Sequence, residues 1–154
     1  GGGGGCFAPG TRVVLAGGAL APIESVRVGQ RLYTGGRVRA IMAYDASAAA
    51  PLLEVRGVRV TADHAVRCGD GAWRRVREVA VGPPCEQNEL AEPLLFDLIT
   101  SDHRVPVVGA NGEATLFADY EETDDTAADL SGFLLQLERE DREMERECGV
   151  AMSA

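Results

Sequence analysis

The fold class is decided by a stretch of ten residues, Leu52-Leu53-Glu54-Val55-Arg56-Gly57-Val58-Arg59-Val60-Thr61. It contains two short apolar runs, Leu52–Val55 and Val58–Thr61, separated by a turn at Gly57. Alternating apolar and charged residues put one face of a strand in the core and the other in water, and glycine is typical of the turns between strands. The stretch therefore predicts two strands of an antiparallel sheet.

Six further segments of the same kind are separated from one another by Gly or Pro. They lie at residues 12–15, 30–33, 38–44, 96–100, 105–108 and 115–117. Many short strands with turn residues between them are typical of an antiparallel all-β domain. Two other segments, 22–28 and 73–79, are each expected to hold one helical turn.

Part of the sequence repeats at an offset of 53 residues. The like-for-like pairs are Val13 with Val66, Gly18 with Gly71, Ile23 with Val76, Val26 with Val79, Val28 with Val81, and Gly29 with Gly82. A fixed period predicts two related β subunits around a pseudo-two-fold axis. The alternative is coincidence, because Gly and Val are common in this chain.

Length and charge exclude several classes of function. A chain of 154 residues fits one domain, and it holds no apolar run near the ~18 residues that a membrane span needs. Residues 1–112 carry 12 Arg and 11 acidic residues, whereas residues 113–154 carry 3 Arg and 13 acidic residues. Clustered positive charge is therefore missing, and we expect neither a nucleic-acid nor a membrane partner.

The cysteines and histidines do not form a metal or redox motif. Cys6, Cys68, Cys85 and Cys148 have no C-x-x-C spacing, and there are two His in total. We therefore expect no metal and no organic cofactor. Zinc could inhibit the chain if Cys6 and His64, with or without Cys68, converged on one ion, because the chemistry needs a free thiolate.

The C-terminal region differs from the rest in composition. Thr126 and Asp129 form a plausible capping box, and apolar residues from Leu130 to Met144 follow helical spacing. A helix is predicted over residues 126–147. Its second half, 138–147, is almost wholly charged, which is typical of a solvated surface.

Five glycines precede Cys6, and a cysteine beside such a linker is an unusual choice for core packing. The run Gly5-Cys6-Phe7-Ala8-Pro9-Gly10-Thr11, followed by Thr61-Ala62-Asp63-His64, resembles the first two blocks of the Hint superfamily. This superfamily contains Hedgehog autoprocessing domains and inteins, and the similarity covers about residues 5–120. It implies an all-β horseshoe, here with a C-terminal α-helix. The expected domains are a linker at 1–5, the Hint domain at 6–120 and an acidic helical tail at 121–154.

Chemistry explains why these residue types are needed. Cysteine is strongly nucleophilic, and with an ordinary pKa near ~8.5 a few per cent of it is thiolate at neutral pH. An amide breaks only if its nitrogen is protonated as it leaves. His64 can supply that proton, and the Thr61 hydroxyl can hydrogen-bond the amide of the Gly5–Cys6 bond. We therefore expect Cys6, Thr61 and His64 to be catalytic.

Three further residues are candidates by position. The segment 38–45 resembles the Hedgehog-type strand that ends in an essential aspartate, which implies that Asp45 is the general base of the second step; it could equally begin an ordinary turn. The segment 96–103 resembles the penultimate intein block, which implies a role for His103. Asp119 lies where the last block should end, and it could act as a base, assist His103 or be a plain surface residue.

The C-terminal block departs from the splicing pattern. An intein ends in His-Asn followed by Cys, Ser or Thr, whereas this chain has Ala118-Asp119-Tyr120. Ordinary splicing is therefore not expected. A sterol-recognising segment, which follows Hedgehog-type domains and is strongly apolar, is also not matched by the short amphipathic stretch at 130–137.

The sequence thus predicts a monomeric, self-cleaving domain. Cys6 turns the Gly5–Cys6 bond into a thioester, and water, a small thiol, an amine or an alcohol then releases the upstream passenger polypeptide. The alternatives are a splicing intein with a non-standard end and an inactive Hint domain used as an interaction module.

Overall fold

The structure is a computed structural model that describes residues 5–45, 51–85 and 94–122. Within these ranges the chain is all-β, with a single turn of α-helix, α1 (Val76–Val79), and short 3₁₀ turns at Ala16–Gly18 and Ile23–Ser25. The strands are β1 (Arg12–Val14), β2 (Leu20–Pro22), β3 (Val38–Asp45), β4 (Leu52–Val55), β5 (Val58–Thr61), β6 (Ala65–Arg67), β7 (Trp73–Arg75), β8 (Leu94–Thr100), β9 (Arg104–Val108) and β10 (Ala114–Ala118).

The largest sheet has six strands in the order β2-β1-β9-β10-β6-β7, and every neighbouring pair is antiparallel. Its centre is the β9–β10 hairpin. The β1–β2 hairpin pairs with β9 on one side, and the β6–β7 hairpin pairs with β10 on the other. From either edge, the sheet therefore begins with a two-stranded hairpin that pairs with one strand of the central hairpin.

The internal repeat is confirmed by these strands, because β6 and β7 begin and end 53 residues after β1 and β2. Hydrogen bonds repeat at the same offset. Ile23 N donates to Thr11 O at 2.7 Å, and Val76 N donates to His64 O at 2.9 Å. Thr11 N also donates to Ala8 O, as its counterpart His64 N does to Thr61 O. We name residues 8–29 the first repeat and residues 61–82 the second repeat.

Two smaller ladders complete the architecture. The long strands β3 and β8 pair with each other, as do β4 and β5. The N-terminal segment runs between these ladders, since Phe7 forms bridges with both Val60 and Phe96. The chain entering the domain at Gly5 is therefore held on both sides by backbone.

The main core lies where the two repeats and the N-terminal segment meet. It includes Phe7 and Phe117, whose rings meet edge to face at 5.0 Å, and the paired residues Ile23 and Val76, all fully buried. A second cluster joins Cys6 to Ala8, Leu52 and Leu95. The nucleophile expected from the sequence is thus packed as part of the core.

Some local predictions were wrong. Residues 30–33 form only isolated bridges, because Gly29 and Gly35, both with positive φ, bend the chain on either side. The segments 22–28 and 73–79 each hold one helical turn, as predicted, at Ile23–Ser25 and Val76–Val79. Residues 73–75 also form β7, which was not predicted, because they pair with β6. Strands β2 and β6 were not predicted, since each has only three residues and no long alternating run.

The predicted C-terminal helix at 126–147 lies outside the described residues. So does most of the acidic tail, and so do residues 1–4 of the linker. In the ranges that the structure covers, no helix has the length and apolar character to cross a membrane.

Candidate functional site

The peptide bond between Gly5 and Cys6 is held by β5. Cys6 N donates a 2.8 Å hydrogen bond to Thr61 Oγ1, and Thr61 N donates to Cys6 O at 2.9 Å. Thr61 therefore contacts both ends of Cys6, one with its side chain and one with its backbone. Beyond Cys6, Phe7 and Phe96 exchange two backbone hydrogen bonds, so the register of this segment is fixed.

His64 lies directly against Gly5. A Cβ placed on Gly5 would lie 2.3 Å from Cγ and Nδ1 of His64, so the imidazole packs onto the Gly5 backbone. The ring is also wedged between two aromatic rings, with centroid distances of 4.5 Å to Phe7 and 5.3 Å to Phe117. The side chain is fully buried.

The tautomer of His64 follows from its hydrogen bond. Nε2 lies 2.8 Å from Ala118 O, and a carbonyl only accepts, so Nε2 carries the hydrogen. Nδ1 then has a free lone pair, and it has no hydrogen-bond partner among the described residues. Burial lowers the pKa of His64 to about 4, despite the hydrogen bond to Ala118 O. At neutral pH, Nδ1 therefore carries no proton, and it faces Gly5.

The Cys6 thiol is in a different state from the one expected from the sequence. Burial, and then the charge of Asp97, raises the pKa of Cys6 to about 12. The expected few per cent of thiolate is therefore absent at rest, and a base must remove the proton as the thiol attacks.

Asp97 is a site residue that the sequence reasoning missed. It is fully buried on β8, and Leu98 N donates to its Oδ1 at 2.8 Å. Burial raises its pKa well above the usual range, and the charges of Asp119 and Glu122 add to this. Its Oδ2 is buried without a hydrogen-bond partner in the described part of the chain. Burial therefore favours the protonated form of this carboxyl, and groups with such shifted pKa values are common at functional sites.

A signal for Asp97 was present in the sequence. It stands inside the apolar run Phe96-Asp97-Leu98-Ile99, where a carboxylate costs too much to bury without a purpose or a partner. Segment 96–103 predicted only a role for His103.

Asp45 is exposed at the last residue of β3, opposite Leu94. Its neighbour Tyr44 packs against the cluster that contains Cys6, and its ring stacks on Tyr120 at 6.4 Å. Burial, hydrogen bonding to Tyr120 and nearby acidic groups raise the pKa of Tyr44 to about 12. The phenol of Tyr44, which the sequence reasoning did not consider, is thus a neutral donor beside the thiol.

His103 and Asp119 form a pair of their own. Nδ1 of His103 donates to Asp119 Oδ2 at 3.0 Å, and His103 has a positive φ of 59°. Asp119 is buried, and it also accepts from Thr100 N, Glu121 N and Glu122 N. Four donors thus hold this carboxylate, so Asp119 is not the plain surface residue that one alternative described.

The two groups of candidates are connected through one residue. Ala118, the last residue of β10, accepts from His64 Nε2 and directly precedes Asp119. Gly5, Cys6, Thr61 and His64 therefore form one cluster with Asp97 beside it, and Ala118 links this cluster to the pair of His103 and Asp119. Among the residues described, no three His, Cys, Asp or Glu side chains are grouped so that they could hold a metal ion. Cys6, His64 and Cys68 therefore do not form a three-residue zinc site in this structure.

Comparison with known proteins gives a similarity of fold and none of sequence family. No family model and no curated protein matches the sequence. Among solved structures, the chain is similar to a GSH-linked, splice-inactive variant of the AceL NrdHF class 3 split intein, with a TM-score of 0.47 and 12% sequence identity. The match covers 74% of this chain and 97% of that one.

Proposed function

We propose that this chain is a self-processing domain of the Hint type, which activates the Gly5–Cys6 bond and releases the polypeptide upstream of it. The observation that carries the proposal is the arrangement of three groups around this bond. Thr61 Oγ1 accepts from its nitrogen at 2.8 Å, the free Nδ1 of His64 faces Gly5, and the Cys6 thiol is buried beside Asp97.

The first step is an N-to-S acyl shift. Nδ1 of His64 takes the proton from the Cys6 thiol, and Sγ attacks the carbonyl carbon of Gly5. The C–N bond then breaks, and the proton passes from Nδ1 to the departing nitrogen of Cys6. The products are an amine on Cys6 and a thioester that joins Sγ to the Gly5 acyl group.

His64 acts as a base first and an acid second in this scheme. A histidine with a pKa near 4 cannot hold a proton at rest, but it can carry one between two nearby atoms. Thr61 keeps the amide oriented, because it contacts Cys6 at both ends.

The second step releases the passenger. Water, a small thiol, an amine or an alcohol attacks the thioester carbonyl, the C–S bond breaks, and Cys6 recovers its thiol. We assign the general base of this step to Asp45, which is exposed at the end of β3 next to Tyr44. An exposed carboxylate is accessible to an acceptor that arrives from solvent.

Cleavage at the other end is not part of the proposal. The carboxylate of Asp119 accepts four hydrogen bonds, so attack on its own carbonyl would require it to give these up. Tyr120 follows, and a phenol on this residue is a poor acceptor for an acyl shift. We expect the Asp119–Tyr120 bond to stay intact.

The test is a fusion that carries a reporter protein upstream of Gly1 and a second one after Ala154, incubated with and without dithiothreitol. Mass spectrometry should find the reporter ending at Gly5 and a fragment that begins at Cys6. Cys6→Ala should abolish this cleavage, and Cys68→Ala should leave it unchanged as the matched control. A ligated product of the two reporters would favour splicing, and no product at all would favour an inactive interaction module.

Two variants assign the later steps. Asp45→Ala should leave thioester formation unchanged and slow only its hydrolysis; a block at the first step would refute the assignment. A free fragment beginning at Tyr120, formed as fast as the upstream fragment and lost in Asp119→Ala, would restore a two-ended activity.

A further inference from the structure

The residue before the nucleophile is enclosed by the protein. Gly5 is buried, although it follows a run of glycines that reads as a linker. A Cβ on Gly5 would lie 2.3 Å from both Cγ and Nδ1 of His64 and 2.4 Å from its Cβ. Real atoms do not approach this closely, so any other residue at this position needs His64 to move.

His64 cannot move by rotating its side chain. Its Cβ position is set by its backbone, where the amide donates to Thr61 O at 3.2 Å and the carbonyl accepts from Val76 N at 2.9 Å. The ring is held by the hydrogen bond to Ala118 O and by the rings of Phe7 and Phe117. Close packing on all sides leaves no volume into which the imidazole could shift.

The segment that carries Gly5 cannot move either while the site stays intact. Cys6 is fixed by two hydrogen bonds to Thr61, and Phe7 by two to Phe96. A side chain at residue 5 would therefore have to break the contact between His64 and the scissile bond, or lift Cys6 away from Thr61. Both changes remove the geometry on which the acyl shift depends.

We infer that His64 is a specificity-determining residue as well as a proton carrier, and that the domain accepts only passengers whose last residue is glycine. This rests on the proposed function, since the passenger is the substrate of the same site. The acyl group delivered to Cys6 is then always a glycyl thioester. Glycine has no side chain to hinder the attacking nucleophile, which suits release by small acceptors.

The first experiment measures dithiothreitol-induced cleavage of the reporter fusion with Gly5→Ala and Gly5→Val. Displacement of a reacting group by about 1 Å costs on the order of 100-fold in rate, so both variants should be slower by at least that factor. Gly4→Ala, the same change one residue upstream, is the matched control and should cleave within about threefold of the wild type. Equal rates for Gly5→Ala and the wild type would overturn the inference.

The second experiment does not depend on cleavage and uses the Cys6→Ala chain throughout. Overpacking should lower the melting temperature of Gly5→Ala by about 5 °C. Because one of the clashing atoms is Cβ of His64, the effect should shrink to about 2 °C or less when His64→Gly is also present. An undiminished effect would overturn the steric argument. If the wild-type fusion fails to cleave while this coupling is observed, the proposed function is wrong and the steric restriction stands.

Discussion

The two repeats share one order of strands and turns, but the residues at two equivalent positions differ in their chemistry. In the first repeat, Thr11 N donates to Ala8 O at 3.3 Å; in the second, His64 N donates to Thr61 O at 3.2 Å. Each pair is followed by a strand, a turn with a positive-φ glycine, a second strand and a short helical turn. The site residues Thr61 and His64 thus occupy positions that hold Ala8 and Thr11 in the other copy.

The difference between the repeats lies in what the surrounding chain supplies. Thr11 is half-buried, and its hydroxyl donates to Ala8 O within its own turn. His64 is fully buried because Gly5 and Phe7 cover it, and its Nδ1 has no hydrogen-bond partner in the described ranges. One backbone framework is therefore used twice, and only the copy that the N-terminal segment crosses provides reactive groups.

The largest expected effect is on the rate of thioester formation, and only a change in the second repeat should cause it. His64→Ala should slow thioester formation by about 10²- to 10⁴-fold, because the proton carrier to the departing nitrogen is lost. Thr11→Ala, at the matching position of the first repeat, should change the rate by less than about twofold. Rates are measured as the appearance of hydroxylamine-released passenger. Equal effects of the two variants would show that His64 is only structural.

The next effect is on stability and involves only the second repeat. The pKa of His64 falls from 6.5 to about 4 on folding, so the unfolded chain binds more protons between these pH values. The stability that this provides is complete above pH 6.5 and is lost as pH falls toward 4, by about 3 kcal/mol in total.

Urea unfolding of the Cys6→Ala chain at several pH values measures this dependence. His64→Gln should remove most of the slope between pH 6.5 and 4, whereas Thr11→Ala should retain it. A slope that persists in His64→Gln would show that His64 is not its source.

A smaller effect concerns the hydroxyl of Thr61. Thr61→Val keeps the shape of the side chain but removes the acceptor for Cys6 N, which should slow thioester formation about tenfold, the size of one hydrogen bond. Thr61→Ser should restore most of the rate. The measurement is single-turnover cleavage with excess dithiothreitol; a Val variant as fast as the wild type would leave Thr61 with its backbone contact alone.

The smallest effect should be equal in the two repeats. Gly18 and Gly71 have φ values of 94° and 85°, a region that costs an alanine about 1 kcal/mol. Gly18→Ala and Gly71→Ala should each lower the free energy of unfolding by that amount and leave the cleavage rate of the folded fraction unchanged. A large difference between the two would contradict the structural equivalence of the turns.

Much of the framework was accessible from the sequence because it depends on local patterns. The alternation in 52–61 predicted β4 and β5 with the bounds that the structure has, and the offset of 53 residues identified the repeat. The first signal is carried by neighbouring residues, whose alternation and turn glycine determine strands directly, and the second needs only a comparison of the sequence with itself. Strands β2 and β6 were missed because three-residue strands are defined by their partners.

What the sequence by itself determined about this protein is the all-β class, the repeat and the identity of Cys6, Thr61 and His64 as residues of chemical interest. Only the tertiary structure decided the protonation state of these groups and the surroundings of Gly5. A pKa depends on burial and neighbours that lie far away in the chain, as with Asp97 on β8 beside Cys6. Likewise, a glycine that reads as linker becomes a position where no Cβ fits, because His64, 59 residues later, packs against it.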